Sequence, residues 1–446
     1  MLSAVLAGGL ASACSGGEDD SETIDVWIGF TDYRLDWAKE RAAEFNEKHE
    51  DYTVEIRGFD AYEPLIQATE AAVEEGNPPA VVQYFEAATQ EARDFTDANG
   101  DPLFVSVGEA IGDREEILGE PVVLDDIVKA PTDYYTVDGE FLSMPWNTST
   151  TVFYSNKKMM DEAGIEKAPQ TWDEIDAACD KIAKLKDGPE NCITWPNHAW
   201  MLEQSVAQMG GLMADKDNGR SGRAEEVYVD SEEMMTYVNW WADLAEDGHY
   251  VYTDKQQDWE GVVNAFTSQN TAFLSTSSGD ASRLVTDGKE AGFDVEVTPM
   301  PHNGDYENHG NLIGGATLYL TNGLSEKKSD NALAFMQYIN NPENAADWHK
   351  TTGYIPITNS AVELLEEEGW FDENPHQRVA NEQLDAGDGT PESTGVLLGE
   401  FVAIRDEMTQ AMEDIISSGA DPDERFAEAA EKAQQLLDDY NELHVG

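Results

Sequence analysis

Residues 24–30 (IDVWIGF) alternate apolar and polar side chains, which predicts a first β-strand. Leu35, Ala38, Ala42 and Phe45 then recur at helical spacing. Residues 53–56 predict a second strand and residues 62–75 a second helix. Gly76 and the Asn77-Pro78-Pro79 breaker end that helix, and the apolar run 80–84 predicts a third strand. Strand, helix, strand, helix, strand implies a right-handed parallel α/β lobe. Ligands of such sheets bind outside the carboxyl ends of the strands.

A second unit opens around residues 141–156. Thr171-Trp172-Asp173-Glu174 has the form of a capping box and predicts a helix to about residue 186. Helices are predicted at 231–246, 259–269, 331–340 and 423–443, with strands at 272–276 and 312–320. In residues 342–358 (PENAADWHKTTGYIPIT), Asn341 caps a helix, Pro342 suits its first position and Gly353 ends it. Pro356 keeps Ile355 extended, so Tyr354 sits on a stiff connector at a helix end. Neither repeats nor a long linker is present, so the chain crosses between two lobes several times.

Charge changes this picture more than length does. The 446 residues carry 27 Lys plus Arg against 90 Asp plus Glu, a net charge of −63. Such a surface repels nucleic acid and anionic membranes. The 11 Trp, 16 Tyr and 15 Phe are too many for a disordered acidic chain. Adaptation to a hypersaline setting is the reading that fits, because roughly molar salt shortens the Debye length to about 3 Å.

Residues 1–13 form a short apolar stretch ending in small residues just before Cys14. It reads as the end of a lipoprotein export signal, with Cys14 as the lipidated residue and residues 15–23 (SGGEDDSET) as an acidic tether. No Arg or Lys precedes the apolar part, which departs from the usual export pattern. Cys179 and Cys192 remain, as one disulfide or as buried thiols; their spacing fits both. No cysteine–histidine set has zinc spacing, and no metal or cofactor is expected.

Five segments carry a family resemblance. They are 81–86 (VVQYFE), 145–157 (PWNTSTTVFYSNK), 272–279 (AFLSTSSG), 311–318 (NLIGGATL) followed by the Tyr354 segment, and 398–405 (LGEFVAIR). In order and spacing the chain resembles the extracellular solute-binding proteins that feed ABC importers, and within them the branch that takes sn-glycerol-3-phosphate. The resemblance covers roughly residues 24–437. It implies an α/β, two-lobe periplasmic-binding-protein-like fold of type II, with the ligand cleft between lobes joined by hinge crossings. Lobe 1 is expected at 23–135 plus 316–350, and lobe 2 at 136–315 plus 351–446, after a tether at 1–22.

The ligand contacts implied by the resemblance fall on Tyr62 and Glu86 at the hydroxyl end of the ligand. Ser149, Ser277, Gly315, Tyr354 and Arg405 follow, with Arg405 as phosphate clamp. For the stacking tryptophan, residues 193–200 (ITWPNHAW) leave either Trp195 or Trp200. The chemistry is coherent by itself. A phosphate wants a planar guanidinium, hydroxyls and close backbone, whereas Glu86 would repel it and must serve a hydroxylated end. Taken singly, each residue has a plainer reading: Arg405 as a surface ion pair, the serines as turn residues, the aromatics as packing, and Gly314-Gly315 as a bulge. The ordered set is what outweighs those readings.

Catalytic signatures such as GxSxG, HExxH or a P-loop are absent. Residues 215–226 place a glycine one position early for an EF-hand, and 97–101 read as a solvated turn. The expectation is therefore a monomeric, lipid-anchored binding protein at the outer face of the cell membrane. It would capture glycerol-3-phosphate or a glycerophosphodiester by lobe closure and pass it to an ABC permease. The alternative ligand is a sugar or oligosaccharide. No nucleic-acid partner and no enzymatic activity are expected.

Overall fold

The computed structural model describes residues 23–49 and 52–444. Cys14 and the expected tether up to residue 22 lie outside the described residues, and Thr23 already belongs to the first strand. Two sheets organise the chain. The first contains β1 (Thr23–Ile28), β2 (Thr53–Gly58), β3 (Val81–Phe85), β4 (Phe104–Val105), β5 (Met144–Ser149) and β10 (Gly314–Thr321). The second contains β6 (Thr151–Asn156), β7 (Ile193–Thr194), β8 (Phe273–Ser277) and β9 (Val295–Pro299). Their orders are β2-β1-β3-β10-β4, with β5 also paired to β10, and β7-β8-β6-β9.

The expected parallel lobe is present at its centre. β1 pairs in parallel with β2 and β3, and helices α1 (Tyr33–Lys48) and α2 (Tyr62–Glu74) connect them. β10 then joins β3 antiparallel, so the strand returning from the second lobe extends a sheet the first lobe began. Every residue of β3 is buried, which is why it reads as a continuous apolar run broken only by Gln83.

The chain passes from one sheet to the other at Thr150, whose neighbours on either side belong to β5 and β6. It returns at residues 300–313, and passes over again after the Tyr354 connector. These crossings are stitched to one another. Ile355 donates its N–H to the Thr148 carbonyl at 2.9 Å, and Ser278 donates to Thr150 at 2.8 Å. Thr150 Oγ1 donates to the Leu312 carbonyl at 2.9 Å. The first crossing thus lies at 150 and not at 136, because β5 pairs with β10 in the first sheet. Residues 357–371 likewise pack on the first lobe's core through Ile357, Ala361, Leu365 and Phe371, and Val362 also reaches the second lobe's core.

Local signals hold where a side chain meets its own backbone. Asn341 accepts from the Asn344 N–H at 2.9 Å, Pro342 opens the helix Pro342–Thr352, and Gly353 ends it at φ +95°. Thr171 accepts from the Glu174 N–H at 3.3 Å. The return bond of the box is shifted by one residue: Glu174 accepts from the Gln170 N–H at 2.7 Å.

Cys179, on the helix Trp172–Ile182, and Cys192, immediately before β7, form a disulfide. It closes a loop of sequence separation 13. Replacing both cysteines by alanine is expected to lower the unfolding free energy by about 3 kcal/mol. Urea unfolding checks this, and a reductant should bring the wild type to the same midpoint.

Candidate functional site

The loops that leave the strands of the first sheet meet the second lobe along one edge. β1 ends at Ile28 and is followed by Gly29, Phe30, Asp32 and Arg34. Gly29 is required here by close approach: a Cβ would stand 2.8 Å from the Tyr62 ring. Tyr62 opens α2, and its ring lies parallel to Phe85 with centroids 5.2 Å apart. Asn147 Nδ2 donates to the Tyr62 hydroxyl at 3.0 Å. Ser149 is the last residue of β5, opposite Gly314, so it stands at the crossing and on the first sheet.

Gly314 and Gly315 open β10, each for its own reason. A Cβ on Gly314 would fall 2.4 Å from the Trp200 ring. Gly315 has φ +93°, and a Cβ there would meet the Asn147 carbonyl oxygen at 1.8 Å. The pair therefore lets Trp200 and strand β5 approach β10 closely. Trp200 Nε1 donates to the Ile313 carbonyl at 3.3 Å, and Trp259 lies 6.2 Å from its ring. Trp195 lies elsewhere. It is 2% exposed, in a cluster with Tyr237, Trp240, Trp241 and Tyr250 inside the second lobe. Of the two expected tryptophans, only Trp200 touches the β5–β10 edge.

Ser277 ends β8, and its Oγ accepts from the Gly279 N–H at 3.1 Å. Gly279 faces the Tyr354 ring, which a Cβ would meet at 3.2 Å. Tyr354 is nearly parallel to Trp348, with centroids 5.7 Å apart. Its carbonyl is bonded to His349 Nδ1 at 2.7 Å, and burial pushes the pKa of that histidine down to about 4. Its hydroxyl accepts from Arg34 Nη1 at 3.3 Å. Thus Tyr354 contacts the first lobe through Arg34 and the second through Gly279.

Arg405 is not a free clamp. It is 5% exposed, on the helix Phe401–Ser418. Its Nε and Nη2 donate to the two carboxylate oxygens of Glu203 at 2.6 and 2.7 Å. Its Nη1 donates to Glu86 at 2.8 Å, across the two lobes. The expectation that Glu86 serves one end of the ligand and Arg405 the other thus meets a direct ion pair between them. Burial pushes the Glu86 pKa up, while Arg405 opposes it by charge and hydrogen bond. Two carboxylates against one guanidinium leave this buried triad with an excess of negative charge, which needs good hydrogen-bond geometry to persist.

Sequence reasoning missed several residues of this edge. Glu203 lies outside every matched segment, on the helix Ala199–Gln208, and is found only through its fork to Arg405. Arg34 and Asp32 follow β1, and Asp32 both caps α1 and holds the Arg34 guanidinium at 2.7 Å. Arg34 lies 4.1 Å over the Phe30 ring. Gln83 had a visible signal, a polar side chain in an apolar strand, and it is fully buried.

Asp280 stands at the start of the helix Ala281–Glu290, facing Arg34 and Arg283. Burial raises its pKa to about 6, while Arg283 and Arg34 hold it down. A carboxyl whose folded pKa lies above its unfolded value is penalised in the fold above that pKa, and the penalty vanishes below the unfolded one. Asp280→Asn should therefore stabilise the protein by about 1–2 kcal/mol at pH 7.5, with no gain near pH 3.5. Urea midpoints across that range test the sign. Among the described residues, no group of three or more His, Cys, Asp and Glu is placed to hold a metal ion.

Similarity to known proteins agrees with this architecture. Residues 40–379 match the family model described as bacterial extracellular solute-binding protein. The sn-glycerol-3-phosphate-binding periplasmic protein UgpB of Salmonella paratyphi A is 28% identical over 409 residues, 89% of this chain and 88% of the relative. UgpB of Escherichia coli K12 is 27% identical over 441 residues, 96% and 95% of the two chains. Among solved structures, UgpB from Mycobacterium tuberculosis in complex with glycerophosphocholine superposes with a TM-score of 0.76 at 22% identity, covering 94% of this chain and 98% of that one. The GacH receptor of Streptomyces glaucescens, solved unliganded and with acarbose, gives 0.75 at 18% identity, covering 94% and 99%. Among the described residues, no helix is long and apolar enough to cross a membrane. With the family model matching most of its length and the two-lobe sheets in place, the chain belongs to the bacterial extracellular solute-binding proteins, the binding components of ABC importers.

Proposed function

We propose that this solute-binding protein captures sn-glycerol-3-phosphate or a glycerophosphodiester in the cleft between its lobes and presents it to an ABC permease. The observation that carries the reading is the convergence of Tyr62, Glu86, Ser149, Trp200, Ser277, Gly315, Tyr354 and Arg405 on the edge where the lobes meet. Tyr62 and Glu86 serve the hydroxyl end. Ser149 and Ser277 offer hydroxyls to phosphate oxygens, and Trp200 packs on the carbon skeleton. Three of the five N–H groups of Arg405 are engaged by carboxylates, which leaves two for a ligand oxygen. The resemblance to proteins named for sn-glycerol-3-phosphate adds support over nearly the whole chain.

Contacts from both lobes give the ligand a differential affinity for the closed form, and closure is the signal to the permease. The protein acts without turnover, as a monomer held to the outer face of the membrane through lipid on Cys14. Its charge adapts it to a hypersaline medium. A neutral sugar is the second reading, favoured by the adjacent Trp200 and Trp259 rings.

Calorimetry in roughly molar salt separates these readings, with glycerol-3-phosphate, glycerophosphocholine and maltose added separately to ligand-stripped protein. Heat with a phosphoglycerol, reduced in Ser149→Ala and Ser277→Ala, supports the proposal and ranks its two ligands. Heat with maltose alone replaces it with the sugar reading.

A further inference from the structure

A chain of buried amides runs from the first strand to the cleft. The Gly29 N–H donates to Gln83 Oε1 at 2.6 Å. Gln83 Nε2 donates to Asn147 Oδ1 at 2.7 Å, and Asn147 Nδ2 donates to the Tyr62 hydroxyl oxygen at 3.0 Å. Gln83 and Asn147 are both fully buried, on β3 and β5.

The direction of this chain is fixed at its first link. A peptide N–H can only donate, so the atom facing Gly29 must be the oxygen of Gln83. That places the Gln83 NH₂ toward Asn147, which must answer with its own oxygen. The Asn147 NH₂ is then turned to Tyr62, and the phenol can only accept from it. Among the described residues, the Tyr62 proton has no other partner. The same logic holds at Tyr354. A guanidinium has only donors, so Arg34 occupies the oxygen of that phenol and leaves its proton free.

We propose that Gln83 and Asn147 are positioning residues that lock Tyr62 as a hydrogen-bond donor into the cleft, so that the ligand presents an oxygen lone pair, and not an N–H or ammonium, at that point. Tyr354, oriented by Arg34, is a second such donor. This wall therefore takes phosphate-ester or polyol oxygens. The inference rests on the reading of Tyr62 as a ligand contact, and it names a polarity that residue type alone leaves open, since a tyrosine can donate or accept.

Asn147→Asp tests it with almost no change of shape. A carboxylate cannot donate, so one of its oxygens still accepts from Gln83 while the other takes the Tyr62 proton, withdrawing it from the cleft. Calorimetry at pH 8 with glycerol-3-phosphate is run on wild type, Tyr62→Phe, Asn147→Asp and the double variant. Each single variant should bind about tenfold more weakly, and the double variant also about tenfold, because both changes remove one and the same donor. Additive losses of about a hundredfold in the double variant, or wild-type affinity in Asn147→Asp, overturn the proposal. If the wild type takes maltose and no phosphoglycerol, the proposed ligand is wrong and the same cycle is run with maltose, so the two failures stay separate. A neutron structure of the ligand-free protein reads the polarity directly. A Tyr62 deuterium pointing into the cleft supports it, and one pointing at Asn147 overturns it.

Discussion

Arg405→Leu should lower the unfolding free energy by about 3–5 kcal/mol at neutral pH, the cost of leaving buried carboxylates without their cation. Arg405 holds Glu203 through two donors and Glu86 through a third, and all three residues are buried. Without it, Glu86 and Glu203 face each other with no charge between them. Adding Glu203→Gln to the variant should restore a large part of the loss. The deficit should also shrink as the pH falls, because a carboxyl whose pKa is raised in the fold is penalised only while it is ionised. Urea unfolding at pH 7.5 and pH 5, on the single and double variants, measures both effects. A loss under about 1 kcal/mol at pH 7.5 would place Arg405 among ordinary surface pairs, which its burial contradicts. The same experiment bears on ligand binding. An Arg405→Ala variant that binds nothing reports on the triad as much as on a phosphate, so the serine variants are the cleaner probes.

The second large effect is of salt on the whole molecule. At a net charge of −63, raising NaCl from about 0.1 M to about 1 M shortens the Debye length from about 10 Å to about 3 Å. Repulsion among exposed carboxylates then falls to near neighbours, and stability should rise by several kcal/mol, a large part of the 5–15 kcal/mol typical of a domain. KCl should act as NaCl does, since screening does not depend on the cation. The urea midpoint at constant pH is the measurement. A flat response from low to high salt would remove the hypersaline reading and leave the acidic composition without a physical role.

Periodicity placed the first three strands and their two helices within a few residues, because each repeats a pattern that its own backbone geometry imposes. The Asn341–Pro342–Gly353 helix was legible to the residue, since cap, first-turn proline and left-handed terminator all act within one helix. The capping box at Thr171 was legible in kind, but its return bond reached Gln170, a choice made by loop geometry. The lobe boundary at 136 missed because β5 has a strand pattern that fits either sheet. Only its pairing with β10 assigns it.

The sites divide along the same line. Residue types and order pointed to Tyr62, Glu86, Ser149, Ser277, Gly315, Tyr354 and Arg405 as a set. Their partners were not readable. Glu203 is 202 residues from Arg405, and Gln83 is 64 from Asn147. Trp195 and Trp200 are equivalent in sequence, and packing alone puts one in a core and the other beside Gly314. The cysteine spacing left a disulfide and free thiols equally open until Cys179 and Cys192 were brought together by the helix that carries the one and the strand that follows the other.

By itself, then, the sequence determined what is local: the elements, their caps, the glycines that a close approach demands and the overall charge. Tertiary structure alone decided which charges meet, which donors are already taken and which way a hydrogen-bond chain runs. The physical reason is that period and propensity act over a few residues, whereas the state of a buried polar group depends on whatever distant group the fold places within 3 Å of it.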